Sequence, residues 1–161
     1  MPIIAKMLDG VERAIQCLDQ NPEDRKLSKS LWSLHQHLEH LCLTGRSTPL
    51  LIQSAFDTTD GPLPASISTT LFNRGAIPRG ETQAPDFGLP RGMAPKKMRN
   101  GFIRLRQTLS DLCHDEIKVI EHCGRSLHPA LGGLTPAQWV TFIGMHFSHH
   151  LQIISDELRA P

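Results

Sequence analysis

Ile4, Leu8, Val11, Ile15 and Leu18 succeed one another at spacings of four and three, so an N-terminal segment carries an apolar stripe on an otherwise polar helix. Asn21-Pro22 ends that helix, because proline cannot extend the backbone hydrogen-bond ladder. A second stripe of Leu34, Leu38 and Leu41 starts behind Ser33, which with Gln36 matches a capping box, and Gly45 marks its end. A third holds Phe102, Leu105, Leu109 and Leu112, and its spacing carries on through Ile117 and Ile120. The fourth begins at Thr135. Thr135 and Gln138 form another capping box, Pro136 takes the first helical position, and Leu134 with Trp139 supplies a hydrophobic staple. The pattern predicts four long helices and no strand.

Between the second and third of these helices the character changes. Pro49, Pro62, Pro64, Pro78, Pro85, Pro90 and Pro95 break any long element. A short helix over Pro49 to Phe56 fits, and the remainder, about 57–96, reads as an irregular connection. That length crosses a whole bundle, so the helices it joins need not be antiparallel neighbours. Connections this long in a compact domain are uncommon and usually have a role or are mobile.

Composition narrows the class. A chain of 161 residues, 39% hydrophobic and 20% charged, suits a single globular domain over 1–161. Net charge is +1 with no run of Lys or Arg, which argues against a nucleic-acid partner. No apolar run reaches the roughly 18 residues of a membrane span, and the N-terminus lacks a signal-peptide pattern. Cys17, Cys42, Cys113 and Cys123 show no CxxC spacing, so reduced thiols and a cytoplasmic location are expected.

Histidine, at nine residues, is the unusual component. At 100° per residue His146 and His150 share one narrow arc with Trp139, Ile143 and Ile153, the face a helix would bury. A buried ring nitrogen without a partner costs on the order of 1–3 kcal/mol. Core hydrogen bonds would satisfy both rings, and so would one divalent metal. Metalloprotease chemistry of the HExxH type is excluded, because Phe147 stands where that motif needs Glu. A third ligand must come from another helix, and the second offers His35, His37 and His40. On its wheel His37 lies near the centre of the apolar face and His40 at the edge, so periodicity favours His37. The other histidines read more plainly. His149 sits half-exposed beside the face, and His35 and His114 point to solvent. His122 meets a helix C-terminus, and His128 shapes a turn before Pro129. Glu39 reads as a surface residue, or as one that orients a neighbouring ligand or acts as a base.

Trp32-Ser33 followed by Leu38-Glu39-His40-Leu41 resembles the second-helix signature of the DinB-like metalloprotein superfamily, with Trp and His eight residues apart. His128-Pro129-Ala130-Leu131-Gly132, then Leu134-Thr135 and Trp139, resembles the turn into that family's last helix. His146 to Ile153 is similar to its terminal H-x3-H helix, and Ile77-Pro78-Arg79-Gly80 falls in a familiar part of the long loop. The resemblance implies an all-α fold, a four-helix bundle that often forms a homodimer, with one divalent metal on His40, His146 and His150. Its choice of His40 conflicts with the wheel's preference for His37. It also implies a metal-dependent enzyme, a low-molecular-weight-thiol-dependent S-transferase or a hydrolase acting on a small molecule. Zinc, nickel and iron all suit imidazole ligands. The competing class is a non-catalytic, dimeric helical interaction module in which a metal only clamps helices together.

Overall fold

The computed structural model describes residues 2–80 and 84–159 and is mostly helical. Helix α1 (Ile3–Gln20) buries Val11, Ile15 and Leu18 of the stripe its periodicity marked, together with Met7 and Ala14, and leaves Ile4 and Leu8 half-buried. Helix α2 (Leu34–Gly45) has both halves of its capping box: Gln36 N–H donates to Ser33 Oγ at 3.2 Å, and Ser33 N–H to Gln36 Oε1 at 2.8 Å. Asp24 adds to this cap from outside the helix. It accepts the Ser33 hydroxyl at 2.7 Å and the His35 N–H at 2.8 Å, placing a carboxylate where the helix dipole favours one. Helix α3 (Thr48–Phe56) is the expected short helix, with Pro49 in its first turn.

The connection that follows is not irregular throughout. It contains α4 (Ser66–Arg74), closed by Gly75 in the left-handed conformation, and a single 3-10 turn at Asp86–Gly88. Helix α4 escaped the periodicity because its apolar residues Leu71 and Phe72 are only partly buried against the core; its one fully buried residue is Ser68. Helix α5 (Pro95–Leu112) stops at Cys113 rather than running on. Ile117 and Ile120 belong to a separate short helix, α6 (Glu116–Glu121), and stay 68% and 57% exposed, so their spacing continued the pattern without continuing the core.

A second correction is a small hairpin. Strands β1 (Ser126–His128) and β2 (Gly132–Leu134) pair antiparallel, with Leu127 opposite Gly133. His128 Nδ1 accepts the N–H groups of Ala130 and Leu131, so the ring folds the turn as its sequence suggested. Gly132 has φ +71°, and a Cβ there would come within 2.6 Å of Leu63 O and Ala65 N. That close approach lets the strand that leads into α4 lie against the hairpin. Helix α7 (Pro136–Arg159) follows directly, capped by reciprocal bonds between Thr135 and Gln138.

Helices α1, α2, α5 and α7 share one core. Met7, Val11, Leu34, Leu38, Leu41, Met98, Phe102, Leu109, Phe147 and Ile154 are all shielded from water. Each such side chain contributes about 1.5–3 kcal/mol of burial free energy. Ion pairs Arg99–Asp19 and Arg106–Glu12 tie α5 to α1 at the surface, where such pairs add about 0–1 kcal/mol each. No helix among the described residues is long and apolar enough to cross a membrane.

Candidate metal centre

Helices α2 and α7 face each other across the core, and each turns imidazoles into the gap. His146 and His150, one turn apart on α7, meet His40 of α2. One ring nitrogen from each of the three lies within 4.8 Å of the others. His40 and His150 are buried and His146 half-buried. His40 Nε2 and His146 Nε2 are 3.0 Å apart, and the rings cross nearly at right angles.

The hydrogen bonds around these rings dictate their tautomers. His40 Nδ1–H donates to Gly88 O at 2.8 Å, so the lone pair of the neutral ring sits on Nε2, the atom aimed at His146. Gly88 has to be glycine for that contact: a Cβ would lie 2.8 Å from Thr44 Cγ2 and 3.1 Å from His40 Nδ1. His150 Nδ1 meets His37 Nδ1 at 2.8 Å, which leaves Nε2 as its remaining nitrogen. His37 Nε2 in turn reaches Ser30 Oγ at 2.8 Å. Both His37 and His40 are thus buried, each 4% exposed, but His37 has its two nitrogens engaged by Ser30 and His150. It stands behind the cluster rather than in it. The helical wheel, which favoured His37, ranked the two in the wrong order: both rings are buried, but it is His40 that groups with His146 and His150.

Aromatic rings hold the cluster in place. Trp32 stacks on His150 at an interplanar angle of 19° and packs against His40, and Phe142 stacks on His146 at 15°. Burial among these rings penalises the charged form. It drives His146 well below the usual histidine range, helped by the nearby His40, and lowers His150 and His40 as well, although the Gly88 carbonyl partly opposes the effect at His40. Burial also pushes His37 down to about 4. All four imidazoles are neutral at pH 7, the state in which a ring nitrogen can ligate.

The donor set fits a divalent ion. Two nitrogens bound to one tetrahedral zinc at 2.0–2.1 Å stand ~3.3 Å apart, a few tenths of an ångström beyond the separation of His40 Nε2 and His146 Nε2. Three neutral ligands leave a fourth position free and the full charge of the ion intact. The outer contacts, His40 to Gly88 and His150 to His37, are the kind that fix the orientation of metal-binding histidines.

A cavity of about 550 Å³ opens beside the cluster, within the range of small-molecule sites. His40, His146, His149 and His150 line it, with apolar side chains of α3, α4 and α7 around them. His149 is half-buried at this wall and donates Nδ1–H to Ile77 O at 3.0 Å, leaving Nε2 as its basic nitrogen.

The other expectations divide. His114 is exposed, as expected. His35 is half-buried and bonded to Asn21 O, not turned to solvent. His122 does meet helical carbonyls, but those at the end of α3: Nε2 lies 2.9 Å from both Ala55 O and Thr58 O. Glu39 is 3% exposed, against the surface reading. Its carboxylate accepts the backbone N–H groups of Arg91 and Gly92, which fastens the chain beyond Gly88 to the helix that carries His40. Those partners lie 52 and 53 positions away, so no local pattern announced them. All four cysteines are free thiols, and burial raises Cys17, Cys42 and Cys113, the last to about 11, so none of these three is an activated nucleophile. Matching this chain against protein-family models, curated proteins and solved structures finds no counterpart in any of the three.

Proposed function

We propose that this chain is a divalent-metal-dependent enzyme of the DinB-like kind, a four-helix bundle of α1, α2, α5 and α7 that holds one ion through His40, His146 and His150. The observation that carries this reading is the convergence of three neutral imidazole nitrogens from two helices within 4.8 Å, beside a cavity large enough for a substrate. When bound, the ion supplies Lewis acidity, drawing the pKa of a coordinating thiol or water toward neutrality.

The chain's own groups would do the rest. The Gly88 carbonyl and His37 orient the ligand rings, and Trp32 and Phe142 keep water from their faces. His149 Nε2 is a neutral base at the cavity wall, placed to take a proton from a substrate thiol or hydroxyl. Since Cys17, Cys42 and Cys113 have raised pKa values, the sulfur in a thiol-dependent S-transfer would be the substrate's. Zinc, nickel and iron are the candidate ions.

Elemental analysis tests the ligand set. The wild-type protein is expected to hold about one ion per chain, and His40→Ala, His146→Ala and His150→Ala each to lose most of it. Metal-free wild-type protein, or ion retained by all three variants, sinks the proposal. If removing the ion lowers stability but changes no thiol transfer, the metal is a structural clamp and the chain an interaction module.

A further inference from the structure

The walls of the cavity are apolar, formed by Leu51, Ile67, Leu71, Ile77, Phe87 and Phe142 among others. No Asp, Glu or Lys lines it among the described residues. Its permanently charged side chain is Arg74, exposed in the last turn of α4. Among the described residues the Arg74 guanidinium is in no salt bridge. Among the described residues, Asp156 is taken by Arg79, and Asp86 is exposed and does not line the cavity.

This distribution selects by charge. A cationic ligand would be desolvated against apolar walls with no counter-charge, facing both a guanidinium and an ion whose ligands are all neutral. A carboxylate would find the planar fork of an arginine, which matches it in a bidentate pair. A hydrocarbon body would find a surface that prefers it to water.

We propose that the cavity takes a small carboxylic acid with an apolar body, its carboxylate on Arg74 and its far end against the imidazole cluster. The assignment deepens the metal-enzyme reading and rests on it for the far end alone.

Trp32 and Trp139, the two tryptophans of the chain, both line the cavity, so intrinsic fluorescence reports its occupancy. The experiment titrates octanoate, octanol and octylamine into zinc-loaded and chelator-treated protein. Octanoate is expected to bind most tightly in both, about tenfold ahead of octylamine, since the guanidinium attracts one charge and repels the other. Arg74→Gln should remove the lead of octanoate over octanol and leave octanol unchanged, and Arg74→Glu should move the preference toward octylamine. Equal binding of octanoate and octanol, or a lead that survives Arg74→Gln, overturns the assignment, as does failure of all three to change the fluorescence. A lead found only with zinc, and indifferent to Arg74→Gln, places the carboxylate on the ion: that overturns the role of Arg74 and leaves the metal site standing. An Arg74-dependent lead in a chain that takes up no metal does the reverse.

Discussion

His37 spans a 2.8 Å contact to Ser30 Oγ and another to His150 Nδ1, so the tautomers of His37 and His150 are linked. If His150 ligates through Nε2, its Nδ1–H must donate to His37, and His37 Nε2–H must donate to Ser30. His37→Ala should therefore keep the metal site but weaken it by about 10–100-fold, the usual effect of removing an outer partner of a metal-bound histidine. Competition with a chromogenic chelator measures this. A loss as complete as that of His40→Ala would make His37 a ligand itself. At this scale the sequence was informative about residue type, while its periodicity preferred His37 to the His40 that joins the cluster. His37 and His40 have the same exposure, and only the distances to Ser30, Gly88 and His146 tell them apart. The burial of Glu39 was missed for a different reason: a carboxylate that binds backbone N–H groups has partners of no particular residue type.

At the level of elements, α2 depends on a cap built from two parts of the chain. The box of Ser33 and Gln36 is local and could be read directly, whereas Asp24 reaches it across a loop. Asp24→Ala removes the acceptor for Ser33 Oγ and His35 N–H and a favourable dipole contact, and should cost about 1–2 kcal/mol in urea unfolding. His40 sits nearly two turns further along, so metal content should be unchanged. The long helices were legible because each buries a continuous stripe, a pattern that 3.6 residues per turn imposes on sequence. Helix α4 fully buries Ser68 alone and writes no such pattern. The hairpin is only three residues on each strand, held by backbone pairing and by the His128 ring, and leaves no alternation to detect.

For the molecule as a whole, burying neutral histidines couples stability to acidity. An unfolded histidine takes up its proton near pH 6.5, whereas burial holds His37 and His128 neutral down to about 4. Between those values the unfolded chain carries more protons, so stability is full above pH 6.5 and falls as pH drops toward 4. His40, His146 and His150 act in the same direction. In chelator-treated protein, His37 alone should remove on the order of 2 kcal/mol between pH 7 and pH 5. Urea midpoints at the two values check it; an unchanged midpoint would mean that these rings are hydrated or already charged in the folded chain. The clasp of Glu39 on Arg91 and Gly92 bears on traffic through the cavity. Opening the wall at Phe87 and Gly88 would strand a carboxylate without its donors and free His40 from the carbonyl that aligns it. The opposite side is fastened as well: Ile77, just beyond α4, accepts His149 Nδ1–H, and Arg79 pairs with Asp156 of α7. Each wall of the cavity is thus tied to a helix that carries part of the imidazole cluster, so loosening either wall would disturb the alignment of a ring.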